Sequence, residues 1–172
     1  AARSEGYPFT CDVELIPMSG VERIKKFLEH QNISAEIIEL SVKTATSEQA
    51  AVALGISTSQ IAKSLLLVNE NKKPFLVIAP GDKKVDRKKL AEITSSKKVS
   101  FADAEFIEEV TGFSMGGVPP FGHLSELTTF IDQGLLKHEK VYASGGSDES
   151  LLVIDPKVLI KVTKGRVVDV CI

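Results

Sequence analysis

Cysteine and histidine are scarce in this sequence, and neither clusters. Cys11 and Cys171 stand near opposite ends, a spacing that fits no metal motif and no redox CxxC. A disulfide between them stays open as a reading, although such bonds are rare in a reducing cytosol. His30, His123 and His138 are scattered and HExxH is missing, so no metal and no cofactor are expected. Long apolar runs are missing too. The longest, Ile61 to Val68, is broken by Lys63 and falls well short of a membrane span. The opening residues AARSEGYPFT have neither the basic start nor the apolar core of a signal peptide. An intracellular, cytoplasmic protein with no membrane partner is the expectation. There is no excess of either charge: 21 Lys+Arg against 23 Asp+Glu gives a formal net charge of -2. That does not suggest bulk attraction to a nucleic acid, although a local basic patch can act under a neutral total. The P-loop GxxxxGK[ST], the Rossmann fingerprint and the GxSxG elbow are all absent. No repeat and no low-complexity tract occurs.

What is present is 172 residues at 43% hydrophobic, enough for one substantial core and too short for two ordinary domains. The chain is read as one domain over 1–172, with 1–17 an irregular lead-in that holds a short apolar stretch near Val13–Ile16. Ser19 with Glu22 forms a capping box ahead of Val21, Ile24, Phe27 and Leu28 at helical spacing, which predicts a helix over about 20–30. Ala35–Leu40 reads as a strand. Thr46 with Gln49 opens a second helix, rich in alanine, that Gly55 ends. Ser57–Ala62 reads as one further helical turn. Ser64–Val68 and Pro74–Ala79 are strands joined by a short polar turn, a hairpin. Their continuous apolar character predicts burial on both faces. Asp86 caps a helix carrying Leu90 and Ile93. Val99–Phe101 is a short strand, and Asp103–Val110 a helix stopped by Gly112. Leu127–Ile131 is a strand, Gln133–His138 a short helix and Val141–Ala143 a strand. The apolar stretches Leu151–Ile154 and Val158–Val162 flank Asp155-Pro156, and Arg166–Val170 is the last strand. Strands often follow one another without a long helix between them. The expected fold is mixed α/β: a curled, barrel-like mixed β-sheet of about seven strands surrounded by short helices.

Three features carry chemistry. Lys63 heads an apolar strand, where its ammonium either snorkels to water or meets a partner. As a fixed charge at a pocket mouth it would hold a phosphate or carboxylate, or orient a reacting group. The segment Thr111–Gly122 (TGFSMGGVPPFG) packs four glycines and two prolines into twelve residues. It is either a tight structural crossover or a stiff binding loop whose N–H groups face a carbonyl or anion. Ser144-Gly145-Gly146 follows a strand, so its amides end at a sheet edge, a weak signal by itself. Basic residues concentrate between 72 and 98, at Lys72–Lys73, Lys83–Lys84, Arg87–Lys89 and Lys97–Lys98. They are solvated faces or a phosphate-contacting flank.

The order of these segments is similar to that of the YbaK/EbsC family, which includes free-standing aminoacyl-tRNA deacylases and the editing domain inserted in bacterial prolyl-tRNA synthetases. The resemblance rests on STSQIAKSLLL (57–67), TGFSMGGVPPFG (111–122), TFID (129–132) and VYASGG (141–146), and it covers about residues 20–170. It implies a barrel-like sheet and hydrolysis of the ester that links a wrong amino acid to tRNA. Lys63 matches the family's pocket lysine. Gly116 and Pro120 match its Gly-x-x-x-Pro loop, with Gly117, Val118 and Pro119 between them. Ser144, Gly145 and Gly146 match its Ser-Gly-Gly element, and Thr44 and Thr46 its hydroxyl-rich segment near the aminoacyl pocket. Two departures weaken a cysteine-specific assignment. Leu151 stands where the cysteinyl-tRNA(Pro) deacylase branch carries an acid, and Ser47-Glu48 follow Thr44-Ala-Thr46 where that branch has an aromatic residue. Lys63 and the backbone amides of Gly116 and Gly117 are the implied catalytic groups. Thr44, Thr46, Val118, Pro119, Pro120, Ser144, Gly145 and Gly146 are the implied substrate contacts. The implied partners are the aminoacyl-tRNA acceptor end and an aminoacyl-tRNA synthetase. A hydrolase of another small aminoacyl ester and a catalytically silent tRNA- or nucleotide-binding module are the competing readings.

Overall fold

The computed structural model describes residues 19–172. Cys11, the Val13–Ile16 stretch, the lead-in and the disulfide reading lie outside the described residues. Helix α1 (Gly20–His30) opens on the reciprocal Ser19/Glu22 capping box and buries Val21, Ile24 and Leu28. Strand β1 (Glu36–Glu39) and helix α2 (Ser47–Leu54) follow; α2 is capped by Thr46 and Gln49 and closed by Gly55 in the left-handed conformation. A 3-10 turn (Thr58–Gln60) leads into β2 (Ala62–Asn69), which pairs antiparallel with β3 (Pro74–Pro80). Helix α3 (Arg87–Thr94), β4 (Val99–Phe101) and α4 (Ala104–Thr111) come next. The rest is β5 (Thr128–Asp132), a 3-10 turn (Gln133–Lys137), β6 (Val141–Ser144), β7 (Ser150–Ile154), α5 (Pro156–Thr163) and β8 (Arg166–Val168).

The expectation of one curled, barrel-like sheet of about seven strands is overturned. Among the described residues, eight strands form two open sheets, one ordered β4-β2-β3-β5-β8 and the other β1-β7-β6. Neither sheet closes on itself. Among the described residues, the backbone pairing between the two sheets is one isolated bridge, Ile61 to Tyr142. The physical reason is the shortness of β4. It pairs with Leu67–Asn69 only, and Ala102 adds one bond to the Leu66 carbonyl. The N-terminal half of β2 therefore has a sheet neighbour on one side, β3, and an open edge on the other. Closure would need that edge paired.

Two-sided burial of the central strands is seen, and it sets the layers. Leu76 and Ile78 of β3 face the main core with Ile24, Leu28, Ile107, Leu152 and Leu159, so both sheets and three helices share it. Phe75, Val77 and Ala79 face a second cluster under α3, with Leu90, Val99, Phe130 and Cys171. Alternation along β2 continues the pattern: Ala62 and Leu66 face the main core and Leu67 the second. The Val158–Val162 stretch is helical, because Asp155 caps it and Pro156 occupies the first turn, where a missing N–H costs nothing. No described helix is long and apolar enough to cross a membrane.

Candidate functional site

The open edge of β2 forms the floor of a cavity of about 500 Å³. The segment Thr44–Glu48 and the start of α2 make one wall. Met115, Gly116 and Val118 make the second, and Ala143, Ser144 and Leu151 the third. Its lining is mainly apolar, through Ile107, Val118, Ala143 and Leu151, with hydroxyl-bearing residues Thr44, Thr46, Ser64 and Ser144 among them.

Lys63, the second residue of β2, is half-buried and lines this cavity. Its ammonium donates to the Lys83 carbonyl. That bond ties the head group to the turn after β3, three residues past Pro80. Cys171 lies near Lys63, but it is no nucleophile. Burial first, then the Asp132 charge and the Asp132 hydrogen bond, push its thiol up to about 12.

Thr44 is buried, and both its backbone N–H and its hydroxyl donate to the Asp148 carbonyl, the hydroxyl at 3.1 Å. The Thr46 hydroxyl accepts the Gln49 N–H at 3.1 Å as the α2 cap. Both threonines thus shape the wall while their oxygens already have protein partners. Gly116 lies against Ala45: a Cβ added to it would stand 3.2 Å from the Ala45 Cβ, and its φ of +91° favours glycine. Among the described residues the Gly116 N–H makes no hydrogen bond, whereas the Gly117 N–H donates to the Ser114 carbonyl at 2.9 Å. Val118 lines the cavity, while Gly117, Pro119 and Pro120 are buried behind it.

The loop is anchored from behind. The His123 Nε2 lies 2.7 Å from the Pro119 carbonyl, which requires the tautomer with its proton on that nitrogen. Arg23 of α1 donates to the Gly112 carbonyl at 2.9 Å, with its guanidinium 4.3 Å from the Phe113 ring centre. Burial, and less so the Arg23 charge, hold His123 below its usual 6.5, against the Pro119 bond, which favours the charged ring. A depressed histidine contributes stability that is present above its unfolded value and lost as pH falls. The fall in Tm below pH 6.5 should therefore be shallower in His123→Gln, which keeps a donor for Pro119 and removes the titration. Melting curves across that range check this; an unchanged slope assigns the acid sensitivity to other groups.

Of the Ser-Gly-Gly element, only Ser144 reaches the cavity. Its hydroxyl accepts the Gly146 N–H at 3.2 Å, and the Gly145 N–H donates to the Ser150 carbonyl at 3.1 Å. Gly146, at a φ of +111°, presses on the start of α1: a Cβ there would sit 2.5 Å from the Gly20 carbonyl oxygen. The structure therefore brings Lys63, Thr44, Thr46, Gly116, Val118 and Ser144 to one cavity. It places Gly117, Pro119, Pro120, Gly145 and Gly146 in the supporting layer.

Sequence reasoning passed over Ser64. The residue borders the cavity, and its Oγ is buried with no hydrogen-bond partner among the described residues. The signal was a lone hydroxyl inside an apolar strand, which period-two alternation places with Ala62 and Leu66. Phe101 was passed over as well: it is 52% exposed and stands on the cavity rim.

Comparison with known proteins gives the family. Residues 41–162 match the family model described as an aminoacyl-tRNA editing domain. The protein YwhH of Bacillus subtilis, itself uncharacterised, is 32% identical over 152 residues, covering 88% of this chain and 96% of that protein. EbsC of Enterococcus faecalis, described as a candidate Cys-tRNA(Pro)/Cys-tRNA(Cys) deacylase, is 26% identical over 125 residues, 73% of this chain and 76% of its own. A crystal structure described as that of a candidate trans-editing enzyme for prolyl-tRNA synthetase superposes with a TM-score of 0.84 at 32% identity, covering 91% of this chain and 99% of that one. With a matched region spanning more than half its length and relatives aligned nearly end to end, the chain belongs to the YbaK/EbsC family of aminoacyl-tRNA editing domains.

Proposed function

We propose that the cavity beside β2 is where this chain carries out its family's reaction, hydrolysis of the ester of a mischarged aminoacyl-tRNA. The chain is an aminoacyl-tRNA deacylase that acts in trans. The observation that supports this placement is the convergence of Lys63, Gly116, whose N–H makes no hydrogen bond among the described residues, and a mainly apolar wall on one cavity.

In the reaction, water attacks the ester carbonyl carbon. The carbon–oxygen bond to the terminal ribose then breaks, the ribose oxygen takes up a proton and the amino acid leaves as its acid. The alternative attacking group is a nucleophile on the substrate itself. Lys63 sits where the phosphate and ribose of the terminal nucleotide would lie, and its charge holds them in register with the wall. The Gly116 N–H polarises the carbonyl and stabilises the developing oxyanion. Gly117 would add a second N–H only by giving up Ser114. Thr44, Thr46, Val118 and Ser144 enclose the aminoacyl group. Pro119, Pro120, Gly145 and Gly146 keep those walls stiff, so that positioning supplies much of the rate.

Ser64 reaches the substrate in this account by turning its hydroxyl from its buried, partnerless position toward the cavity it borders, since that hydroxyl is otherwise a pure cost. Ser64→Ala should lower kcat/KM by about 2- to 10-fold while leaving Tm equal or slightly higher. Steady-state kinetics beside a thermal melt check both; a lower Tm with unchanged kinetics would assign Ser64 to the fold alone.

A panel of labelled aminoacyl-tRNAs, with alanyl- and cysteinyl-tRNA(Pro) among them, tests the function. Release of amino acid above the spontaneous rate supports the deacylase and names its substrate. Binding without release would favour the silent module.

A further inference from the structure

A second groove, of about 680 Å³, adjoins the cavity and shares Lys63, Leu65 and Phe101 with it. Its far side is the loop before α3 and the first turn of that helix, which present Lys84, Arg87 and Lys88, all exposed. Asp86 is the acidic side chain on this groove, and its Oδ1 caps α3, accepting the Lys88 and Lys89 N–H groups at 3.0 and 3.3 Å. Phe101 ends β4, and the Arg87 guanidinium stands 5.8 Å from its ring centre. A half-exposed aromatic face beside three cations is suited to an unpaired base with flanking phosphates. Every base offers a π-face to a ring, and lysine and arginine neutralise the backbone.

We propose that this groove holds the unpaired nucleotides that precede the esterified adenosine at the tRNA 3′ end. One base stacks on Phe101 and the phosphates lie against Lys84, Arg87 and Lys88. The inference rests on the aminoacyl cavity assigned above, and Lys63, on the boundary of the two, would meet the joint between them. An acidic protein segment would use the charges but would leave the ring without a role. The geometry also divides the basic stretch. Lys72 and Lys73 belong to the hairpin turn after β2, and Lys97 and Lys98 lie beside Glu70, whose carboxylate accepts their N–H groups. That group is at the other end of β2, roughly 20 Å from Lys63 at about 3.3 Å per residue. The groove cations and the hairpin cations are therefore separable by mutation.

The test measures binding of an uncharged tRNA with an intact 3′ end and of the same tRNA trimmed of its last three nucleotides, by fluorescence anisotropy at fixed salt. The full chain is compared with Phe101→Ala, Phe101→Tyr, the Arg87→Glu/Lys88→Glu pair and the Lys72→Glu/Lys97→Glu pair. The wild type and Phe101→Tyr should prefer the intact end by about 5- to 10-fold. Phe101→Ala and the groove pair should lose that preference, and the hairpin pair should keep it. Phe101→Ala retaining the full preference, or a wild type that binds both tRNAs alike, overturns the proposal. Deacylation of the same tRNA in its charged form by the wild type is measured in parallel. Release at only the spontaneous rate would sink the assigned reaction, while the binding comparison would still decide the groove.

Discussion

Replacing Lys63 by alanine should lower deacylation by roughly 100- to 1,000-fold without unfolding the chain. The ammonium stands at the junction of the aminoacyl cavity and the basic groove, held by the Lys83 carbonyl. A charge fixed in advance on a partly desolvated rim gives its full electrostatic effect without reorganising when the substrate arrives. The fold should tolerate the loss. Lys63 is half-buried, Leu66, Leu67 and the whole of β3 carry the packing around it, and water can reach the vacated carbonyl. Lys63→Arg should rescue only part of the rate, since a planar fork is longer and differently hydrated than a point charge. Single-turnover rates with the three proteins, each with its melting curve, check this. A Lys63→Ala protein that melts normally and deacylates at the wild-type rate contradicts the assigned role.

The second large effect is on stability. Gly146→Ala should cost about 2–4 kcal/mol and lower Tm by roughly 5–15 °C, with activity falling as the Ser144 wall shifts. Two causes add. A φ of +111° is closed to a side chain, and the new Cβ would meet the Gly20 carbonyl oxygen at 2.5 Å. Both partners are backbone, so no flexible side chain can swing away. Gly20 presents the same contact from the other side, where a Cβ would stand 2.0 Å from the Gly146 oxygen. Gly55→Ala is the control: its φ is +67°, but nothing lies within 4 Å of the added Cβ. It should cost about 1 kcal/mol, the left-handed penalty alone. Equal losses in the two variants would show that contact with α1 is unimportant.

The helices were legible because their ends are written in short-range chemistry. Ser19 with Glu22, Thr46 with Gln49, and Asp86 all cap as read, while Asp103, read as the first helical residue, is the cap of α4. The hairpin of β2 and β3 was legible for the same reason, and their apolar runs announced burial on both faces. The arrangement of the sheets was not legible. The parallel pairs of β5 with β3 and with β8 join residues far apart in sequence, and no local pattern records them. The open edge of β2 follows from β4 stopping at three residues, a length that sequence gives without its consequence. At the site, loop composition pointed to the Gly116–Pro120 and Ser144–Gly146 segments. Which amide is already used, Gly117 by Ser114, and which hydroxyl is left over, Ser64, depends on turn and register. Phe101 looked like the end of a strand, and only the position of α3 makes it a rim.

The central claim is that the cavity beside β2 hydrolyses a mischarged aminoacyl ester. The most direct measurement is single-turnover release of labelled amino acid from alanyl- and cysteinyl-tRNA(Pro) with enzyme in excess, which isolates the chemical step from substrate capture and product release. The account predicts a rate well above spontaneous hydrolysis for at least one of them, set by Lys63. Saturated binding of both with release at the spontaneous rate would contradict it.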